Sequence, residues 1–119
     1  MTSGNPQKIT RYCLTLDLKD DPDLILEYKR YHERVWPEII GTFKPAGIES
    51  MEIYLLASRL FMILEVNETF SFEAKAKSDR ENPRVQEWEN LMWRYQKPLP
   101  DAKPGEKWMP MDLIFRISL

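Results

Sequence analysis

The sequence predicts an α+β domain with elements in the order strand, helix, strand, strand, helix, strand. Three observations predict it: several segments alternate apolar and polar residues, the segments between them repeat apolar residues at helical spacing, and a tight connection joins two of the strands. At 119 residues the chain has the length of one ordinary domain. We expect residues 9–119 to form that domain and residues 1–8 to be a short disordered lead-in.

The first half of the chain begins with a strand at residues 9–18, where apolar and polar side chains alternate. Asp21 is placed to cap the helix that follows, and Pro22 suits its first position. Helical spacing continues to Pro37, which should end this helix and begin a second, short one. Gly47 then supplies the left-handed residue that stops helical structure before the next strand.

The middle of the chain predicts two strands, at residues 48–57 and 60–66. The short connection between them predicts an antiparallel hairpin. Both faces of the later strand are apolar, which places it inside the sheet rather than at an edge. A short helix is expected at residues 70–78.

The last third of the chain predicts a helix at residues 83–96, capped by Asn82. A proline-containing loop follows at residues 99–107, and a loop of this length in a small domain more often has a function or forms part of an interface than neither. Residues 108–117 alternate again and predict a final strand.

This order of elements is the ferredoxin-like pattern, an antiparallel sheet with helices on one face. The other face would carry either Cys13, Phe61 and Ile63 or the residues that alternate with them, and a sheet that is apolar on both faces needs a second cover. Two copies that stack their sheets about a two-fold axis would supply this cover. We therefore expect a homodimer of the dimeric α/β barrel type.

The composition argues against several classes of function. The formal net charge is only -2, which argues against the concentrated basic surface of a nucleic-acid-binding protein. The apolar runs are short, so no membrane partner is expected, and the N-terminal residues lack the hydrophobic core of a signal peptide. Cys13 is the only cysteine, which excludes an internal disulfide and fits a cytoplasmic protein.

Few residue patterns in the chain indicate chemistry. One histidine and one cysteine fit no metal site, four scattered glycines form no nucleotide-binding loop, and no serine or cysteine has the context of a nucleophile. We therefore expect no metal and no cofactor. Lys75 and Lys77 are expected on a solvated helix face. The remaining candidate is His32, whose imidazole titrates near pH ~6.5 and exchanges protons at neutral pH.

His32 lies in an aromatic stretch of the first helix. Tyr28 and Trp36 are four residues to either side, so all three side chains share one helix face. A proton-transfer group between flat rings suits a site for a small polar ligand, because a phenol can hydrogen-bond a hydroxyl or share in proton transfer. The alternative is a helix that buries an aromatic stripe and gives His32 a structural role.

Several segments resemble the L-rhamnose mutarotases. The matching residues are Tyr28-Lys29-Arg30-Tyr31-His32, Val35-Trp36-Pro37-Glu38, Gly47, Ile53-Tyr54, Leu60 to Val66, and Gln86-Glu87-Trp88 to Met92. The resemblance covers residues 9–117. It implies a dimeric, ferredoxin-like enzyme that interconverts the α and β anomers of a 6-deoxy-L-hexose, a monosaccharide, without a cofactor.

The resemblance also implies roles for individual residues. His32 would be the proton donor, Tyr28 would bind the sugar, and Trp88 would contact it. Two positions depart from the rhamnose pattern: Glu89 stands where the family has a second tryptophan, and Met51 stands where it has a tyrosine. Both L-rhamnose and L-fucose therefore stay open as substrates, because the Glu89 carboxylate is able to accept a hydrogen bond from a differently oriented hydroxyl.

Two other functions also stay open. A dimeric α/β barrel suits a haem-binding or monooxygenase-type protein with His32 as iron ligand, although architecture alone says little about function. A non-catalytic sugar-binding module would use the same aromatic residues. The mutarotase needs the least machinery, because the reaction proceeds slowly unaided and acid–base help of about 10²–10⁴-fold suffices.

Overall fold

The computed structural model describes residues 8–119, and it has the predicted α+β composition. Its elements are β1 (Thr10–Leu18), α1 (Pro22–Glu33), α2 (Pro37–Ile40), a short 3-10 helix (Lys44–Ala46), β2 (Ile48–Leu56), β3 (Arg59–Val66), α3 (Phe72–Arg80), α4 (Pro83–Trp93), β4 (Gln96–Lys97) and β5 (Met109–Pro110). None of the helices in this part of the chain is long and apolar enough to cross a membrane. Apart from Lys8, the expected lead-in lies outside the described residues.

The sheet is antiparallel, with the strand order β2-β3-β1-β4 and with β5 pairing to β1. β3 pairs along its length with β1 on one side and with β2 on the other, so its predicted place inside the sheet is confirmed. The β2–β3 hairpin turns through Ala57 and Ser58, with Ala57 in a left-handed conformation at φ 54°. The turn therefore lies one residue earlier than the sequence predicts.

The predicted starts of α1 and α4 are confirmed by their capping contacts, whereas α4 ends at Trp93 rather than at residue 96. Asp21 caps α1 and accepts hydrogen bonds from the backbone N–H groups of Asp23 and Leu24. α1 ends before Pro37, which begins α2. Gly47 has φ 93°, and a Cβ added there would lie 2.9 Å from the backbone nitrogen of Phe70. Both the conformation and the close approach therefore require glycine.

The core lies between one face of the sheet and the helices. β1 and β3 contribute alternate residues to this face, as the two-residue period of a strand requires. The buried apolar side chains of these strands are Leu14, Leu16, Leu18, Leu60, Met62, Leu64 and Val66. Tyr28 of α1 and Val85, Trp88 and Met92 of α4 pack against them.

The predicted final strand at residues 108–117 is mostly wrong. Only Met109 and Pro110 pair with β1, although the backbone N–H of Met111 still donates to the carbonyl of Cys13 over 2.7 Å. Residues 111–119, here called the C-terminal tail, are exposed, and Ile114 is 93% exposed. Alternation of apolar and polar residues identifies a segment that suits a strand, but a strand also needs a neighbouring strand with which to form hydrogen bonds. Within the described residues the tail finds none.

Candidate active site

A cavity of about 710 Å³ opens between the inner face of the sheet and helices α1 and α4. This volume lies in the usual range for small-molecule sites. The four residues that the sequence singles out as site residues, His32, Tyr28, Trp88 and Glu89, all line this cavity. Met51, the second position that departs from the rhamnose pattern, lines it as well. The structure therefore brings together residues that lie far apart in the sequence.

His32 is held by the helix that carries it. Its Nδ1 lies 2.8 Å from the backbone carbonyl oxygen of Tyr28, one helical turn earlier. A carbonyl only accepts hydrogen bonds, so the neutral imidazole carries its proton on Nδ1 and leaves a lone pair on Nε2. Burial lowers the pKa of His32 more than this hydrogen bond raises it. The resting form at neutral pH is therefore an uncharged imidazole with Nε2 ready to accept a proton.

Aromatic rings surround this imidazole. The centroid of the His32 ring lies 4.3 Å from that of Tyr28 and 5.7 Å from that of Trp88. Trp36 is not part of the cavity wall: it packs edge-on against Trp88 at 5.0 Å and lies under the guanidinium of Arg84 at 3.8 Å. Trp36 thus packs against Trp88 outside the cavity, whereas Trp88 and Tyr28 line the cavity.

Tyr28 and Gln96 form a buried polar pair in the cavity wall. Burial raises the pKa of Tyr28 to about 12, so its phenol stays protonated. Gln96 Nε2 lies 3.5 Å from Tyr28 Oη, at the outer limit of a hydrogen bond. Gln96 Oε1 has no partner among the described residues. A buried amide oxygen without a partner costs about 1–3 kcal/mol, and Oε1 is free to accept a hydrogen bond from a molecule in the cavity.

Glu89 and Lys107 meet at another part of the wall. Lys107 Nζ donates a hydrogen bond to the backbone carbonyl of Glu89 over 3.0 Å and lies 4.6 Å from the centroid of the Trp93 ring. Burial lowers the pKa of Lys107 to about 8, although the Glu89 carboxylate acts in the opposite direction. Lys107 ends the loop at residues 99–107, and Lys107 and Trp108 both line the cavity of their own chain.

Comparison with known proteins identifies the family. The family model described as L-rhamnose mutarotase matches residues 11–117. The chain belongs to the L-rhamnose mutarotase family. The resemblance seen in the sequence is thereby confirmed, and the protein is a carbohydrate isomerase of the mutarotase type.

Relatives in this family have two different substrates in their names. An L-fucose mutarotase from Xanthomonas campestris pv. campestris is 46% identical over 110 residues, which cover 91% of this chain and 88% of that protein. An L-rhamnose mutarotase from Acidiphilium cryptum is 31% identical over 99 residues, which cover 82% and 89%. The crystal structure of an L-rhamnose mutarotase from Formosa agariphila has the same fold, with a TM-score of 0.67 at 21% identity, covering 92% of this chain and 99% of that one.

Membership of the mutarotase family does not favour the haem-binding, monooxygenase or non-catalytic alternatives.

One structural expectation needs correction. Lys75 was expected on a solvated helix face, but its ammonium bonds to Asp79 and to Thr42 Oγ1 and lies 5.6 Å from the centroid of the Phe43 ring. Its side chain is only 16% exposed and lines the cavity. The contacts of Lys75 with Thr42 and Phe43 join distant parts of the chain, which helical spacing cannot reveal.

The lowered pKa of Lys107 predicts a pH-dependent stability. Between about pH 8 and 10.5 the unfolded chain holds the Lys107 proton and the folded chain does not, so the free energy of unfolding rises with pH across this window. We expect Lys107→Met to remove this rise in urea unfolding measured from pH 7.5 to 10.5. Lys103→Met, at an exposed position of the same loop, should keep it. Equal pH slopes for the two variants would contradict the prediction.

Proposed function

We propose that this member of the family interconverts the α and β anomers of a 6-deoxy-L-hexose by acid–base ring opening. The observation that supports it best is the His32 imidazole, fixed by its Nδ1 contact and lining a 710 Å³ cavity beside two aromatic rings. Such a site supplies a proton acceptor and flat apolar surfaces, and it needs no cofactor for this reaction.

The proton transfers can be assigned to His32 and Tyr28. Neutral His32 takes the proton of the anomeric hydroxyl at Nε2 while the bond between C1 and the ring oxygen breaks. Tyr28 gives its phenolic proton to the departing ring oxygen, because a phenol of pKa about 12 is a stronger acid than an aliphatic alcohol. The open aldehyde rotates, the ring oxygen returns its proton to Tyr28 on closing, and the imidazolium protonates the new anomeric oxygen. His32 then acts as the expected proton donor in the ring-closing step.

The sugar is bound by Tyr28, Trp88 and Glu89 in this proposal. The Trp88 ring offers its face to the apolar C–H side of the sugar. Glu89 lines the cavity where the rhamnose pattern has a second tryptophan, and its carboxylate accepts a hydrogen bond from a ring hydroxyl. We propose L-fucose as the preferred sugar and L-rhamnose as the poorer one. The 46% identical relative named for L-fucose supports this order over the 31% identical relative named for L-rhamnose.

The proposed assembly is a homodimer of ferredoxin-like domains, each formed by residues 9–119. The sheet face that points away from the helices has the partly exposed apolar side chains of Cys13, Phe61 and Ile63 near its centre. Leu56 at the end of β2 is 81% exposed, and the C-terminal tail adds Ile114 and others. Exposed apolar side chains grouped on one sheet face are proposed to be covered by a second copy of the chain.

A second copy of the chain would also provide a surface for the C-terminal tail to bind. A tail with alternating apolar residues suits pairing or packing against the partner, which would complete the final strand that the sequence predicts. The interface would be sheet on sheet, with the ion pairs Arg11–Glu65 and Arg59–Asp17 at its margins. We place the protein in the cytoplasm, where a lone cysteine stays reduced.

Saturation-transfer NMR of the anomeric protons tests the proposed function. We expect the parent protein to accelerate anomer exchange of L-fucose, and of L-rhamnose to a smaller extent. D-glucose, whose ring has a hydroxymethyl group and different stereochemistry, serves as the control sugar and should exchange at its unaided rate. Exchange rates of L-fucose and L-rhamnose that do not change on adding protein would contradict the proposed function.

A further inference from the structure

We propose that Gln96 is a specificity-determining residue that binds one of the two hydroxyls in which L-fucose and L-rhamnose differ, on C2 or C4, through the free end of its side-chain amide. The inference rests on the proposed mutarotase function and extends it to a residue for which the sequence gives no role. Gln96 lines the same cavity as His32 and Tyr28, and it is only 4% exposed.

The backbone of Gln96 is fixed on both sides. Gln96 pairs with Leu18 in the short β1–β4 ladder, and the N–H of Lys19 donates to the carbonyl of Tyr95 over 2.8 Å. Pro98 follows two residues later and restricts the chain beyond the strand. A side chain that projects from so fixed a backbone holds its amide in one place, which is what recognition of a single hydroxyl requires.

The amide has one end without a partner. Nε2 lies 3.5 Å from Tyr28 Oη, and no described side chain or backbone group bonds to Oε1. With Nε2 facing Tyr28, Oε1 is the end that stays unpaired. Buried polar atoms nearly always have partners, and a sugar hydroxyl can donate the hydrogen bond that Oε1 lacks.

The position of Tyr28 narrows the choice of hydroxyl. In the proposed mechanism the Tyr28 phenol lies at the ring oxygen, and Gln96 contacts this phenol. The ring oxygen lies between C1 and C5, so the hydroxyls on the next carbons, C2 and C4, are closer to Gln96 than the hydroxyl on C3. L-fucose and L-rhamnose differ in configuration at C2 and C4, so a fixed contact to either hydroxyl favours one of the two sugars.

Two glutamine-to-methionine variants separate binding from folding. Gln96→Met keeps an unbranched side chain of similar length and removes the amide. We expect a roughly 3- to 10-fold rise in KM for L-fucose from the loss of one hydrogen bond, with an unchanged or higher melting temperature. Gln86→Met is the matched control, because Gln86 Nε2 donates to the Asp79 carbonyl over 2.8 Å and Gln86 does not line the cavity. Its melting temperature should fall and its KM should stay.

A deoxy sugar tests which hydroxyl is bound. The parent protein should bind either 2-deoxy-L-fucose or 4-deoxy-L-fucose with a KM raised by the same 3- to 10-fold factor, and with that sugar Gln96→Met should lose nothing further. The measurement on the parent needs no variant, so it stands even if Gln96→Met fails to fold. Equal KM values of the parent for L-fucose and for both deoxy sugars would overturn the proposal. So would a Gln96→Met variant whose KM for L-fucose equals that of the parent.

This failure differs from failure of the proposed function. A parent protein that accelerates exchange of neither L-fucose nor L-rhamnose contradicts the mutarotase proposal itself. A parent that accelerates exchange of L-fucose, together with an unaffected Gln96→Met variant, contradicts only the role of Gln96.

Discussion

Replacing His32 by alanine should remove about 10²–10⁴-fold of the catalysed anomer exchange of L-fucose, the range expected for loss of a general acid–base group. The reason is that Nε2 of His32 is the proposed proton acceptor and no neighbouring side chain can take over this role. The nearest rings are those of Tyr28 and Trp88, and Tyr28 stays protonated because its pKa is about 12. The measurement is saturation-transfer NMR at saturating sugar, which reports kcat and excludes an effect on binding alone.

The control for His32→Ala is Glu33→Ala, the next residue of α1, which is exposed and does not line the cavity. It should exchange L-fucose at the parent rate. Melting curves of both variants establish that they fold. Imidazole added to His32→Ala should restore part of the rate, because the truncated side chain leaves space beside Tyr28. An alanine variant that exchanges L-fucose as fast as the parent would contradict the role of His32.

The pH profile distinguishes a proton-transfer role from a structural one. The pKa of His32 is lowered from 6.5, and the neutral form is the proposed active form. Activity of the parent should therefore be level at neutral pH and should fall only when the pH drops through this lowered pKa. The residual activity of His32→Ala should not show this fall. A fall that persists in the variant would assign the titration to another group.

Local patterns in the sequence predicted much of the fold. Asp21 and Asn82 are caps because their side chains reach the next backbone N–H groups, a contact within a few residues. Pro37 and Gly47 act through their own backbone angles. The sheet position of β3 also followed from its two apolar faces. Each of these features depends on neighbours in the sequence, and this is why one sequence sufficed to predict them.

The parts that the sequence did not predict depend on distant contacts. Gln96 was placed at the end of a helix before Pro98, but pairing with Leu18 turns it into the cavity. Lys107 ends a polar loop, and only its contact with Glu89 reveals that it is partly buried. His32 and Trp88 were predicted to contribute to the site from their residue types and the family resemblance, whereas glutamines and lysines are usually exposed and give no such signal.

Replacing Ile63 by glutamate should convert the proposed homodimer into a monomer. Ile63 lies opposite Cys13 on β1, on the sheet face away from the helices. In the dimer its carboxylate would be buried against the partner beside Glu52, its neighbour on β2, which costs several kcal/mol, whereas in a monomer it stays in water. Light scattering coupled to size-exclusion chromatography measures the molar mass.

The control is Leu26→Glu, which makes the same change at a 46% exposed position on α1 and should remain dimeric. A parent protein with the mass of one chain would contradict the dimer whatever the variant does, and so would an Ile63→Glu variant that folds and keeps the mass of two chains.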